Sequence, residues 1–271
     1  MKRSDRLVAM TYFLLENPMK RYSLPYFVEK YSAAKSSISE DIDIIDRMFQ
    51  QLGIGKIQSI AGASGGISYM PDFSYDNSEI FIDQLIDQLA DSKRILPGGY
   101  VYMSDVLGDL NNINTIGKIF ASVFKQLDVD YVITIATKGI PLAYGVAQVL
   151  NVPVIIIRRD PIVTEGSTVS INYVSGSSKK IQTMVLAKRS IEPGSNVVII
   201  DDFMKAGGTI RGIMSLMKEF DVTVKGIGVL AEAEDHEEDR KIDDYISLLK
   251  IEEVDEQSQI IRVNRGNFFN Q

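Results

Sequence analysis

The run Val197-Val198-Ile199-Ile200-Asp201-Asp202-Phe203-Met204-Lys205-Ala206-Gly207-Gly208-Thr209 constrains this chain more than any other stretch. Four consecutive aliphatic residues predict a strand buried on both faces, the mark of a parallel sheet covered by helices. Two carboxylates then emerge at the strand's C-terminal edge, and a small-residue loop opens a helix. In open α/β sheets, ligands sit at the carboxyl ends of strands. Small residues let backbone approach a phosphate closely, and a helix N-terminus supplies free N–H donors with a partial positive charge. Adjacent acids do not help an anion, but they accept hydrogen bonds from hydroxyls such as those of a ribose. The motif therefore asks for a sugar with a phosphate at one end.

The surrounding pattern agrees. Strands are expected at Tyr100–Met103, Tyr131–Ala136, Pro153–Ile157, Asn196–Asp201 and Thr223–Ala231, separated by helices at Asn111–Leu127, Pro141–Leu150 and Gly207–Phe220. Between Arg158 and Pro193, polar and β-branched residues alternate, with breakers at Gly166 and Ser175–Ser178, and read as a mobile β-hairpin excursion. A second strand-to-helix turn, Ile135-Ala136-Thr137-Lys138-Gly139-Ile140-Pro141, again aims backbone N–H groups at an anion. Lys138 adds a point charge there.

The N-terminal third is organised differently. Helices are expected over 5–16, with Leu7, Val8, Met10, Phe13 and Leu14 apolar, and after an N-cap at Ser23 with Pro25 in the first turn. A third helix follows over Ser36–Leu52, with Ile38, Ile42, Ile45, Met48, Phe49 and Leu52 on one face. Two alternating runs, Lys56–Ile60 and Gly66–Met70, flank a glycine-rich connection at Ala61–Gly65 and read as a hairpin. Three helices and a hairpin is the winged-helix order, in which the third helix enters the DNA major groove. Lys35, Ser36, Ser37, Ser39 and Glu40 then stand at its groove-entering end, with Glu40 and Asp41 read as partners of the helix dipole. Net charge is −7, yet residues 1–35 hold seven basic residues, Lys2, Arg3 and Arg6 among them, against three acidic ones. A local basic patch on an acidic body still attracts phosphate backbones. Pro71–Glu79 is polar and turn-rich, which places the boundary between domains 1–74 and 75–271. A helix over Ser78–Asp91, with Ile80, Phe81, Leu85, Ile86 and Leu89 apolar, follows it.

The chain has no cysteine and one histidine, His236, within an acidic run. That argues against a disulfide scaffold, thiol catalysis and a zinc site. No apolar run is long enough for a membrane span, and the N-terminus lacks a cleavage site, so the expected setting is the cytoplasm.

The stretch Asp201–Thr209 resembles the phosphoribosyl pyrophosphate signature of type I phosphoribosyltransferases. The resemblance implies that Asp201 and Asp202 hold the ribose, with Phe203, Met204 and Lys205 beside the ligand. It implies that Ala206, Gly207, Gly208 and Thr209 cradle the 5′-phosphate. Thr137, Lys138 and Gly139 resemble that family's pyrophosphate loop, the excursion occupies the place of its flexible loop, and Tyr102 is a further ligand contact. The whole chain resembles the bacterial purine operon repressors, on Met1–Leu7, Ser36–Asp41, Thr164–Ser170 and Asp201–Thr209. That resemblance implies an α/β protein: an N-terminal winged helix fused to a type I phosphoribosyltransferase-like domain with a mainly parallel sheet. It also implies a homodimer on double-stranded operator DNA upstream of purine genes. It implies further that phosphoribosyl pyrophosphate or a competing purine nucleotide acts as effector; Mg²⁺ is the expected companion of such a diphosphate, and no resident cofactor or protein-held metal is expected.

Family enzymes often carry an acid or a small hydroxyl residue four positions after the start of the acidic pair, where this chain has Lys205. A protonated ammonium is no general base, but it binds anions well. The expectation is therefore a sensor with no catalytic residue. The alternatives are an active purine phosphoribosyltransferase with an appended DNA-binding domain, or a partner protein that binds neither. Repression versus activation, the target genes and the dominant nucleotide stay open at this point.

Overall fold

The computed structural model describes residues 1–62, 65–160, 166–174, 180–233, 242 and 244–270. His236, part of the Gly62–Gly65 turn, the Ser175–Ser178 breakers and the first two residues of the Thr164–Ser170 phrase lie outside these. The chain divides into two compact units, Met1–Tyr75 and the bulk of Asp76–Gln271.

The first unit contains α1 (Arg3–Glu16), α2 (Leu24–Tyr31), α3 (Lys35–Gln51), β1 (Gly55–Ile60) and β2 (Gly66–Pro71). Ser23 caps α2 by accepting a hydrogen bond from the Tyr26 N–H, with Pro25 in the first turn. The hairpin pairs in register from Gly55↔Pro71 to Ile60↔Gly66, and a bridge between Tyr22 and Ile67 ties the α1–α2 connection to it. This is a winged helix. Its core joins Met10, Leu14, Phe27, Ile38, Ile42, Ile45 and Phe49 to Ile57, Ile67 and Tyr69 of the hairpin.

The apolar faces expected for the helices need correction. The buried stripe of α3 follows i, i+4, i+7, i+11 through Ile38, Ile42, Ile45 and Phe49, and leaves Met48 and Leu52 exposed. Val8 of α1 is 71% exposed, and Arg6 is buried instead. The reason is an ion cluster. Asp41 of α3 is fully buried, and its two oxygens accept from Arg3 Nε at 3.0 Å and Arg6 Nε at 2.5 Å. Arg3 also reaches Glu40 at 3.0 Å. Glu40 and Asp41 therefore clamp α1 onto α3 through arginine rather than serving the helix dipole.

The second unit opens with α4 (Tyr75–Leu89), which buries Ile82, Leu85 and Leu89 and leaves Ile80 exposed, another shift of the expected face. A short hairpin follows, β3 (Ile95–Leu96) and β4 (Tyr100–Val101), then α5 (Ser104–Gly108) and α6 (Leu110–Phe124). Asp109 caps α6, accepting from Asn111 N at 2.7 Å and Asn112 N at 3.3 Å. Next come β5 (Tyr131–Ile135), α7 (Gly139–Leu150), β6 (Val154–Ile157), the hairpin β7 (Thr168–Val174) and β8 (Ile181–Ala187), and β9 (Asn196–Met204). The chain continues with α8 (Gly208–Glu219), β10 (Thr223–Ala233), β11 (Ile246–Asp255), β12 (Ile260–Arg265) and a terminal 3-10 turn at Asn267–Asn270.

Six strands form the central sheet in the order β12-β11-β10-β9-β5-β6. All neighbours are parallel except the edge strand β12. The expected strand at Tyr100–Met103 is not part of this sheet; only Tyr100–Val101 is extended, in its own hairpin. Strands β11 and β12 carry no clean apolar run, because Lys250, Glu252, Glu253 and Arg262 interrupt them, and the sequence pattern did not reveal them.

Strand order and helix contact together shape the carboxyl edge of this sheet. From β5 the chain crosses through α7 to β6, and from the adjacent β9 it crosses through α8 to β10, so the connections diverge from the centre in opposite directions. That is a topological switch point, where the carboxyl ends of two neighbouring strands leave a crevice. Behind it, α6 and α7 cross at Gly117 and Gly145. A Cβ on Gly117 would fall 2.5 Å from the Gly145 carbonyl, so two backbones touch with no side chain between them.

Candidate functional site

At the carboxyl ends of β5 and β9 a cavity of 1170 Å³ opens. Its floor is the β5–α7 turn at Ile135–Lys138 and the run Asp201–Ile210 from the end of β9 into α8. One wall is Arg158–Asp160, just past β6; the other is Ile251–Val254 of β11. The β3–β4 turn, Leu96–Tyr100, forms the rim. The rim is fixed to the sheet: Gly98 N and Gly99 N both donate to Glu256 Oε1 at 2.7 Å.

Asp201 is 5% exposed, and its Oδ1 accepts from the Asp202 backbone N–H at 3.0 Å. Burial, and then the neighbouring Asp202 charge, push the Asp201 carboxyl well above the usual carboxylate range. Burial raises Asp202 as well, opposed in part by Lys138. Two neighbouring carboxyl groups thus stand at the end of β9, acceptors of the kind that hydroxyls of a sugar can donate to.

Gly207 ends the loop in the left-handed region at φ 74°, and α8 begins with no side-chain cap. The N–H groups of its first turn are thus open to an anion. Gly139 works from behind. A Cβ there would fall 2.4 Å from Thr134 Oγ1 and 2.9 Å from Asp201 Oδ1, so only glycine lets the acidic residue sit against this turn.

Of the residues singled out from sequence, Thr137, Lys138, Asp201, Asp202, Phe203, Met204, Lys205, Ala206, Gly207, Gly208 and Thr209 all line the cavity. Tyr102 does not. Its backbone N–H donates to the Arg94 carbonyl at 2.8 Å and its carbonyl accepts from Arg94 Nη1 at 2.9 Å, while Tyr100 takes the place on the rim. Arg158, Arg159, Glu252 and Glu253 were missed. The two arginines follow a parallel strand's carboxyl end directly, a signal that was present; the two acids lie on the unread strand β11.

In the winged helix, Lys35 and Ser36 are exposed at the start of α3, and Ser37 and Ser39 are half-buried. Lys2 is exposed, and Arg3 is half-exposed but paired. Arg6 is corrected: at 8% exposure and bound to Asp41, it is not a surface cation available to phosphate. Arg21 was not singled out, yet it is exposed and lies beside Gly66 of the hairpin.

The raised Asp201 carboxyl has a consequence for stability. A carboxyl whose folded pKa is raised costs nothing below the usual carboxylate range, and its penalty grows as pH rises through and beyond that range. Asp201→Asn is therefore expected to raise the thermal midpoint of the ligand-free protein at neutral pH, by roughly 2–4 °C for each kcal/mol relieved. The gain vanishes near pH 4, the usual carboxylate range. Scanning calorimetry at both pH values checks this; an equal gain at both would mean that charge is not the cause.

Among the described residues no helix is long and apolar enough to cross a membrane, and no cluster of three or more His, Cys, Asp or Glu is placed to hold a metal.

Residues 2–71 match the family model described as "Bacterial purine repressor, N-terminal", and residues 107–264 match the phosphoribosyl transferase domain. The chain is 54% identical over 267 residues to the purine biosynthesis transcriptional repressor PurR of Bacillus subtilis (strain 168), covering 98% of this chain and 93% of that one. It is 45% identical over 270 residues to the purine biosynthesis transcriptional activator PurR of Lactococcus lactis subsp. lactis, covering 100% and 99%. Among solved structures, adenine phosphoribosyltransferase from Thermoanaerobacter pseudethanolicus superposes with a TM-score of 0.53 at 23% identity, over 62% of this chain and 98% of that one, a likeness of fold.

Proposed function

The chain belongs to the family of bacterial purine repressors, and from that premise we propose that it is a DNA-binding regulator of purine biosynthesis genes whose phosphoribosyltransferase-like unit senses phosphoribosyl pyrophosphate or a competing purine nucleotide. The observation that carries the effector reading is the crevice at the β5–β9 switch point. An acidic pair, an uncapped helix N-terminus and Lys138 stand there together, matched to ribose hydroxyls, a 5′-phosphate and a diphosphate. Lys138, Arg158, Arg159 and Lys205 supply the positive charge that a ligand with several phosphates needs. Mg²⁺ would accompany a bound diphosphate and offset part of its charge. Lys205 favours binding over turnover, since a protonated ammonium takes no proton from a nucleobase.

The protein acts as a homodimer on operator DNA in the cytoplasm, in the repressor sense of the Bacillus relative, and effector binding shifts it between DNA-competent and incompetent states. A ligand does this only by binding the two states with different affinity. The test is a mobility-shift titration on DNA upstream of purine genes, with and without phosphoribosyl pyrophosphate. A shift released by the ligand supports the reading. No shift, together with turnover of phosphoribosyl pyrophosphate and a purine base, overturns it in favour of a transferase.

The winged helix adds a separable expectation. Lys35 is exposed at the start of α3, so Lys35→Ala should weaken operator binding and flatten the slope of log affinity against log salt by about 1. Titrations at several salt concentrations measure that slope. An unchanged slope would place Lys35 away from the backbone.

A further inference from the structure

Gly207 stands where β9 turns into α8, with φ at 74° and no side chain of its own to brace the turn. Apart from its chain neighbours, the three heavy atoms nearest the position of its Cβ all belong to one side chain: Ile242 Cδ1 at 3.1 Å, Cγ1 at 3.3 Å and Cβ at 3.7 Å. Ile242 is 7% exposed and does not line the cavity, whereas Gly207 does, so the isoleucine meets the turn on the face away from the cavity. It shares a core cluster with Met204 and Ile210, which flank Gly207 at three positions before and three after. Just beyond Ile242 the chain is anchored more than once. The Tyr245 hydroxyl donates to Glu232 Oε2 at 2.6 Å, and the Tyr245 carbonyl accepts from Asn267 Nδ2 at 2.9 Å. Ser247 Oγ donates to Glu232 Oε1 at 2.7 Å. Glu232 is 4% exposed and lies on β10 opposite Met204 of β9. A buried carboxylate with both oxygens engaged thus ties the segment after Ile242 to the strand beside the cradle.

We propose that Ile242 is a positioning residue of the effector site, which presses on Gly207 and keeps the turn in the shape that receives a phosphate. Glycine gives up more conformational freedom on ordering than any other residue, so a turn built on it needs an outside contact to stay fixed. The open N–H groups at the start of α8 bind an anion well only when they already converge on one place; a turn that must be ordered by the ligand spends affinity on the ordering. Ile242 supplies that order beforehand. It touches no part of the ligand, and it acts through Gly207 alone. The connection between β10 and β11 therefore sets how tightly the far side of the turn holds a phosphate.

The proposal rests on the reading of the cavity as a phosphate site, and the probe separates the two. Ribose 5-phosphate is titrated by calorimetry into the full-length protein and its variants, and amide hydrogen exchange is followed over residues 205–212. Ile242→Ala removes the Cγ1 and Cδ1 contacts. It should weaken binding roughly 5- to 30-fold, the cost of ordering one backbone residue at the moment of binding. Exchange over the turn should be faster than in wild type without ligand, and equal to it at saturation. Ile242→Val loses only Cδ1, the closest atom, and should show the same changes in smaller size; it carries the test if the alanine variant does not fold. Ile227→Ala is the control, since Ile227 is buried in the same cluster but lies opposite Ile199 in the middle of the sheet. It should lower the thermal midpoint and leave affinity unchanged. Wild-type affinity and exchange in the Ile242 variants, or an equal loss of affinity in Ile227→Ala, overturn the proposal while the site reading stands. Failure of ribose 5-phosphate to bind wild type overturns both.

Discussion

Asp41→Ala is expected to destabilise the winged helix by about 3–5 kcal/mol, the cost of breaking a buried ion pair by removing one partner. The substitution leaves the Arg6 guanidinium, 9% exposed in its side chain, without the carboxylate that pairs with it. A domain holds only about 5–15 kcal/mol in total, so most of this unit's margin would go. Operator binding should fail with it, because the clamp fixes the start of α1, with Lys2, against the start of α3, with Lys35 and Ser36. Denaturant unfolding of the variant measures the loss. A cost below about 1 kcal/mol, the worth of a surface pair, would mean that the cluster is solvated and not a clamp. Replacing the pair by shape-matched apolar residues, Arg6→Met with Asp41→Leu, should recover most of the stability. That recovery would separate the arginine's structural role from any role in holding DNA.

Asp202→Ala is expected to weaken binding of phosphoribosyl pyrophosphate by about 1.5–3 kcal/mol, the worth of hydrogen bonds to a charged group, or roughly 10- to 150-fold. Asp202 lines the cavity beside Lys138 and is less enclosed than Asp201, so a ribose hydroxyl meets it first. Ligand-free operator binding should be unchanged, because Asp202 belongs to the other compact unit. The ligand's effect on that binding should disappear over the wild-type concentration range. Calorimetry with the ligand and mobility shift with and without it measure the two separately. Loss of both ligand and operator binding would count against a separate effector site.

The cavity floor was legible in the sequence because its elements are local. A buried strand, two acids and a small-residue turn follow one another without interruption in Val197–Thr209, and chain connectivity alone places them. The turn at Thr137–Gly139 was legible for the same reason. What could not be read depends on contacts between distant segments. The β3–β4 rim reaches the cavity because Glu256, far along the chain, holds the Gly98 and Gly99 amides. Strands β11 and β12 lie toward one edge of the sheet, where Lys250, Glu252, Glu253 and Arg262 obscure the apolar pattern. Arg6 read as a free cation because nothing in its own helix announces Asp41, thirty-five positions away. Tyr102 was misplaced by a local contact instead: its backbone is held by Arg94, eight positions earlier, whose guanidinium also grips Asp105 at 2.8 and 2.6 Å.

The crossing of α6 and α7 at Gly117 and Gly145 bears on how a signal can travel from the cavity. Where helices meet through side chains, each contact has rotamers to change, and the pair can slide by small steps. Here the Gly117 and Gly145 backbones meet directly, with the Ile113 side chain beside them. The crossing is therefore a fixed point between the two helices, where neither backbone can come closer. The turn carrying Lys138 runs straight into α7. Any displacement of Lys138 that moves α7 is thus limited on one side by the Gly117 backbone, which acts as a stop.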